Sequence, residues 1–339
     1  MLKSYIHKLL KQQSLERAAC RDAVLTMLLQ DVAAEQIAAF LALLHAKGET
    51  TAEILGAIDA LQSQMLIVPV KDKVLDIVGT GGDHSNSLNI STASAILAAS
   101  CGVKIAKHGN RAVSSQCGSA DVLEALAVDI AMSPQQIAAG IAEYNIGFCF
   151  AQRFHPVMAK LRDVRRRLGV PTIFNLIGPF LNPARPQHYL IGAFSADLLP
   201  KFAEILLAMN LGRSAVVHSM GMDEMSCYGI TEMIVVENGE QHHEHINPEA
   251  LGLALIPQGS LKGGSPDFNA EIISKTLAGE INLLTDTLIL NAATALYLYG
   301  LSANITDGIE YARSALQAGK AMTLLTQWQS KNSRSTHYA

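Results

Sequence analysis

Apolar residues at three-to-four spacing dominate the first 65 positions. Leu2, Ile6, Leu9 and Leu10 share one helical face, and Leu25, Leu28, Leu29 and Val32 share another. Gln36 to Lys47 reads as a third helix, stopped by Gly48 in the position usual after a helix end. Thr50 opens a fourth, with Glu53 three residues on completing a capping-box pattern. No strand signal interrupts this stretch, so a small helical domain is predicted. At Val74 the period changes. Val74-Leu75-Asp76-Ile77-Val78 has the pattern of a short buried strand, and a helix follows from Thr92 to Ser100. Val103–Ala106 reads as a strand and Ala120–Leu126 as a helix, and Ser133-Pro134-Gln135-Gln136 carries the signals of another helix start. Further strands are expected at 148–150, 190–194, 215–218 and 234–237. Short apolar strands alternating with helices predict an α/β domain whose mostly parallel central sheet is covered by helices. The basic helical segment His155–Leu168 is expected to pack back on the N-terminal helices.

Three polar segments follow strands in this reading, and ligands bind at the carboxyl ends of strands in open parallel sheets. Gly79-Thr80-Gly81-Gly82-Asp83 follows the first strand. Its glycines either make a tight turn or converge N–H groups on an anion. Asn89-Ile90-Ser91-Thr92-Ala93 then opens a helix, whose N-terminus is an anion site. The second segment, Lys107 to Ser119, gathers two cations, a histidine, an asparagine, three serines and two glycines in thirteen residues. It reads as a phosphate cradle or as a solvated loop. Met220-Gly221-Met222-Asp223-Glu224 is the third. Adjacent acids there form a surface turn or a Mg²⁺ site, since magnesium takes one or two carboxylates plus phosphate oxygens and water. Ser91 could add a hydroxyl oxygen.

Composition narrows the picture. The 339 residues are 49% hydrophobic and 17% charged, leaving apolar faces to cover and favouring an oligomer. A net charge of −4 gives no general affinity for nucleic acid or acidic membranes. Five scattered cysteines without a C-x-x-C pair argue against a disulfide framework or structural zinc, and for a reducing compartment. The amphipathic start lacks the apolar core of a signal peptide, and no apolar run approaches the ~18 residues of a membrane span. A cytoplasmic protein is expected.

The strings GTGGD, NISTA, KHGNRAVSS, GSADVLEAL, the stretch from HP through VRRRLG, TIFNLIGP and NPARP, and MDE occur in that order. Together they resemble the anthranilate phosphoribosyltransferase family, from the helical N-terminus to Gly319 or beyond. The resemblance implies a helical domain over residues 1–70, completed by helices around 155–185, and an α/β domain over 71–154 and 186–339. It implies transfer of the phosphoribosyl group from 5-phosphoribosyl 1-diphosphate to the amine of anthranilate, a step of tryptophan biosynthesis. It also implies a homodimer. Gly79, Gly82, Asp83, Ser87, Asn89, Ile90, Ser91, Thr92, Lys107, His108, Gly109, Asn110, Arg111, Ala112, Val113, Ser114, Ser115 and Ser119 would contact the donor. Ser91, Asp223 and Glu224 would hold two Mg²⁺ ions, with Lys107, Asp223 and Glu224 as the catalytic groups. Asn110 and Arg165 would contact anthranilate.

Three positions depart from the family's usual pattern. Ala127 stands where glycine usually follows the Leu-Glu-Ala-Leu run, Met222 replaces leucine before the acids, and Pro171 replaces a basic residue. Only Pro171 removes a charged group. Of the basic run at 162 and 165–167, Arg165 alone is assigned a role, the others reading as cations at a helix C-terminus. His242, His243 and His245 read as a solvated loop without acid or cysteine partners at metal spacing. His108 could relay a proton or order its loop. Two other readings remain: a pyrimidine nucleoside phosphorylase, and a non-catalytic nucleic-acid-binding relative. The segment Lys107–Arg111 and the acid pair favour the transferase over the first. The negative net charge disfavours the second.

Overall fold

A computed structural model describes residues 2–83, 85–112 and 115–332. The chain divides into two compact units, Met1–Ile67 with Ala151–Pro183, and Val68–Phe150 with Ala184–Ala339. In chain order the elements are helices α1 (Leu2–Leu10), α2 (Arg17–Leu29), α3 (Ala34–Lys47) and α4 (Thr51–Gln62), then β1 (Leu75–Gly79) and α5 (Ile90–Ser100). Next come β2 (Ile105–Gly109), α6 (Ser119–Ala125), α7 (Pro134–Tyr144), β3 (Ile146–Phe150), α8 (Ala151–Phe154), α9 (Ala159–Leu168) and α10 (Ile173–Leu176). The remainder holds β4 (His188–Gly192), α11 (Leu199–Met209), β5 (Ser214–Ser219), β6 (Thr231–Glu237) and β7 (Glu240–Ile246). Helices α12 (Pro266–Leu277), α13 (Thr285–Tyr299), α14 (Ile305–Gln317) and α15 (Lys320–Asn332) close the chain.

The helices form where the apolar spacing predicts, but not all of the predicted faces are buried: Leu10 and Leu29 are exposed, and α2 buries Cys20, Ala23, Val24, Met27 and Leu28 instead. The capping box at Thr50 and Glu53 is present. Glu53 is fully buried, so its charge needs compensation: it accepts from Lys47 Nζ at 2.9 Å and from the N–H groups of Leu15 and Thr50. Helices α2 and α4 pack backbone to backbone at Gly56, where a Cβ would lie 2.3 Å from the Arg17 carbonyl oxygen. The basic helix α9 packs on α2 and α3.

The second unit is built on a seven-stranded sheet of order β3-β2-β1-β4-β5-β6-β7. The pairs from β3 to β5 are parallel, and β6 and β7 are antiparallel additions. Alternate residues Leu75, Ile77, Ile105, Phe148, Leu190 and Val217 enter one core with α5, α13 and α14. Helix α11 packs on β5 and β6 through residues outside that core. The order reverses at β1, which has β2 on one side and β4 on the other, the crossover point where open sheets leave a crevice.

Two sequence expectations are corrected. Strand β2 starts two residues later and ends three residues later than predicted, so Lys107, His108 and Gly109 belong to the strand and not to the loop after it. His242, His243 and His245 lie in β7, an edge strand, not in a loop. Its sequence Glu-Gln-His-His-Glu-His is polar on both faces because the strand is exposed, and an edge strand carrying charge resists pairing with other chains. All five cysteines are buried and unpaired. No helix among the described residues is long and apolar enough to cross a membrane.

Candidate active site

The site grows from two glycines that let strands and a loop approach closely. Gly79 and Gly192 end the neighbouring strands β1 and β4 in register. A Cβ on Gly192 would lie 1.4 Å from the Asp223 carbonyl oxygen, and one on Gly79 would lie 2.3 Å from Asp223 Oδ2. Only glycine at both positions admits the acidic turn after β5. That turn is tight, with Met220 and Gly221 at positive φ and Ser219 bridged to Met222. Gly81 and Gly82 also take positive φ, at 65° and 82°, and the Gly81 N–H donates to Asp223 Oδ2 at 2.6 Å.

The result is a carboxylate cluster. Asp83, Asp223 and Glu224 each offer an oxygen within 4.8 Å of the others. Burial and the Asp83 charge push the Asp223 pKa up to about 7. Burial, with Asp223 and Asp83 next to it, holds the Glu224 carboxyl well above its ordinary range. Glu224 Oε2 is buried with no hydrogen-bond partner among the described residues. Three crowded carboxylates with an unpartnered oxygen fit a hard divalent cation, which relieves both repulsion and desolvation. Asp83 thus stands among the candidate ligands, a place its sequence position directly after a glycine pair did not suggest.

Around the cluster stand the groups of α5 and β2. The Ser91 backbone N–H partly offsets the rise at Glu224, and Ser91 Oγ accepts from Lys107 Nζ at 3.3 Å. Lys107 is 1% exposed and also donates to the Ile77 carbonyl at 2.8 Å. Burial lowers its pKa, while Asp76, Glu224 and Asp223 pull it back up. Thr92 Oγ1, one residue further into α5, is buried without a partner among the described residues. At a helix N-terminus such a hydroxyl is suited to an anion.

The other predicted residues divide. Asn89 ties the loops together, its Nδ2 donating to the Cys117 carbonyl while its Oδ1 accepts from Asn269 Nδ2. Ile90 faces the core and its N–H is taken by the Leu88 carbonyl, so neither group is turned to a ligand. Gly109 packs on Ser119, at the start of α6. His108 is buried and its N–H bonds Asp76 Oδ1. Asn110 is exposed, with its side-chain oxygen on the Arg111 N–H. The Arg111 guanidinium is paired with Asp121 and Glu124. The Ala112 N–H also goes to Asp121, and the Ser115 hydroxyl bonds the Cys117 carbonyl. Val113 and Ser114 lie outside the described residues. Arg165 lies in the helical unit on α9, over the Phe174 ring at 5.3 Å, and burial lowers its pKa.

Two elements escaped the sequence reading. Asp121 organises the second loop, accepting from the Ala112 and Gly118 N–H groups as well as from Arg111. Its signal was its place three residues after Gly118, the capping-box spacing. The segment 258–263 runs beside the tail of the glycine loop: Leu88 N–H bonds the Leu261 carbonyl, and Gly263 N–H the Asn86 carbonyl. A cavity of about 350 Å³ lies there, lined by Ser85, Ser87, Met220, Gly221, Tyr228 and Lys262 among others. Nothing in its local sequence beyond a glycine pair pointed to it.

Two family models match successive parts of the chain, without separating 151–183 from the second part. Residues 3–65 match the helical bundle domain of a glycosyl transferase family and residues 71–322 its a/b domain. Anthranilate phosphoribosyltransferase from Chlamydia caviae is 42% identical over 97% of this chain and 96% of its own. The chain belongs to the anthranilate phosphoribosyltransferase family. The Bacillus cereus B4264 member is 39% identical, with 96% of both chains covered. The crystal structure of the Thermus thermophilus enzyme superposes with a TM-score of 0.91 at 37% identity, covering 96% of this chain and 98% of that one. The Saccharomyces cerevisiae member, in complex with PRPP and Mg, superposes at 0.90 with 27% identity and 98% of each chain.

Proposed function

We propose that this chain transfers the phosphoribosyl group of 5-phosphoribosyl 1-diphosphate to the amine of anthranilate, releasing diphosphate. The observation that carries this reading is the Asp83–Asp223–Glu224 cluster set against the N-terminus of α5 and the buried Lys107. Family membership supports it over the phosphorylase and the nucleic-acid-binding alternatives. Asp223 and Glu224, with Asp83 and the Ser91 hydroxyl, would hold Mg²⁺. Bound there, Mg²⁺ supplies positive charge that stabilises the departing diphosphate.

The chain's own groups do the rest. An aromatic amine is largely unprotonated near neutral pH, so no strong base is required, and the barrier lies in separating diphosphate from a ribose that gains positive charge. Thr92 Oγ1 and the N-terminus of α5 would hold phosphate oxygens, and Lys107 adds a fixed cation beside Ser91. Holding donor and amine in line converts a bimolecular encounter into an internal displacement. The acceptor contacts, Asn110 and Arg165, are those the family motifs imply, as is the homodimer.

The test is the double variant Asp223→Asn with Glu224→Gln. It should lose turnover by at least about a thousandfold, as expected when charge stabilisation of a leaving group is removed, while keeping its circular dichroism spectrum. Near-normal turnover at ordinary Mg²⁺ would remove the metal assignment.

A further inference from the structure

Strand β1 carries a fully buried aspartate at its second position, Asp76, which a strand between two others should not tolerate. Its place coincides with a break in the sheet. Strand β1 stays in register with β4 over five residues, and β2 with β3 over five. Between β1 and β2 the only register pair among these described residues is Leu75↔Ile105.

The phase of that ladder is fixed by the Leu75 N–H on the Lys104 carbonyl. A regular parallel ladder would continue with the His108 N–H on the Ile77 carbonyl. No register pair continues the ladder there. The His108 N–H goes to Asp76 Oδ1 at 3.1 Å, and the Ile77 carbonyl takes Lys107 Nζ at 2.8 Å. Two side chains engage the donor and the acceptor of that step in the ladder. The arrangement has a product: the Lys107 ammonium sits between the strands, 3.3 Å from Ser91 Oγ. Register pairing between β1 and β2 also stops before the two loops that follow them.

We propose that Asp76 is a positioning residue for the donor site. By taking the His108 N–H it frees the Ile77 carbonyl to hold Lys107, and so sets both the cation and the spacing of the two loops. Its carboxylate further offsets burial of that ammonium, pulling on it more strongly than Glu224 or Asp223 do. The assignment rests on the donor-binding reading given above.

The experiment compares Asp76→Ala and Asp76→Asn with the wild type in steady-state kinetics, with Mg²⁺ present. Asp76→Ala should raise the KM for phosphoribosyl diphosphate at least tenfold and leave the KM for anthranilate within twofold. Asp76→Asn keeps an oxygen for the His108 N–H and should recover the donor KM to within about threefold. Equal impairment of both variants, or equal loss toward both substrates, would overturn the proposal, as would an unchanged donor KM in Asp76→Ala. Amide hydrogen exchange covers the case in which Asp76→Ala does not fold. The His108 amide should be protected in the wild type and in Asp76→Asn, and exchange at loop rates in the wild type would equally overturn it. A wild type inactive on this substrate pair, yet protected at His108, would count against the functional reading and not against the positioning role.

Discussion

Ala127 adopts φ 56°, the left-handed region in which a side chain costs about 1–2 kcal/mol relative to glycine. It ends α6, its N–H on the Glu124 carbonyl, where a glycine usually terminates the helix. The family's usual glycine at this position is therefore a matter of backbone conformation. Ala127→Gly should stabilise the protein by about 1 kcal/mol, roughly 2 °C in Tm, with kcat unchanged; a lower Tm by calorimetry would contradict this. Asp223 carries the other residue-scale consequence. Its carboxyl, raised to about 7 by burial and Asp83, keeps a proton in the folded metal-free protein that the unfolded chain releases near its ordinary value. Folding thus binds protons between about pH 4 and 7, and stability from this group falls as pH rises through that window. Mg²⁺ must displace the same proton, so its apparent affinity should weaken about tenfold from pH 8 to pH 6. The Mg²⁺-induced rise in Tm should shrink accordingly, and a pH-independent rise would remove Asp223 from the ligands. The sequence named Asp223 as a candidate ligand, but not its titration, which arises from burial and, after that, from Asp83 brought beside it by the fold.

Elements were legible where their period was clean. The four N-terminal helices, their capping box and the strand before the glycine loop announce themselves by apolar spacing and cap residues. Strands that break the pattern for local reasons did not. Strand β7 is polar on both faces because it lies largely exposed at the sheet edge, and the end of β2 is hidden in the sequence because Lys107 and His108 look like loop residues. They are buried because Asp76, Ile77 and Ser91 satisfy them, which is information held by other elements. Glycine spacing was similarly mute about close approach. Gly56 reads as a weak point in α4, yet it is where α2 rests, with the Arg17 carbonyl 2.3 Å and the Arg21 N 2.9 Å from an added Cβ. Both obstacles are backbone and cannot rotate away. Gly56→Ala should therefore destabilise the helical unit by about 2 kcal/mol or more, despite alanine's higher helix propensity. Stabilisation in urea titrations would show that the helices separate at little cost.

At the scale of the molecule, the sheet order places the acidic turn after β5 against the ends of β1 and β4, and that topology turns three scattered motifs into one site. Motif order in the sequence was enough to suggest the family, and the chain belongs to it. What order could not supply was which acids meet: Asp83 and Asp223 are 140 positions apart, and the Asp223 N–H reaches toward Asp83 Oδ2. The central claim is that this assembled site performs a Mg²⁺-dependent phosphoribosyl transfer to an aromatic amine. It is tested most directly by mixing purified protein with phosphoribosyl diphosphate, anthranilate and Mg²⁺ and following anthranilate fluorescence. The account predicts a loss of fluorescence that requires both the donor and Mg²⁺ and is abolished by adding EDTA. Fluorescence that holds steady under those conditions, or falls equally without Mg²⁺, would contradict it.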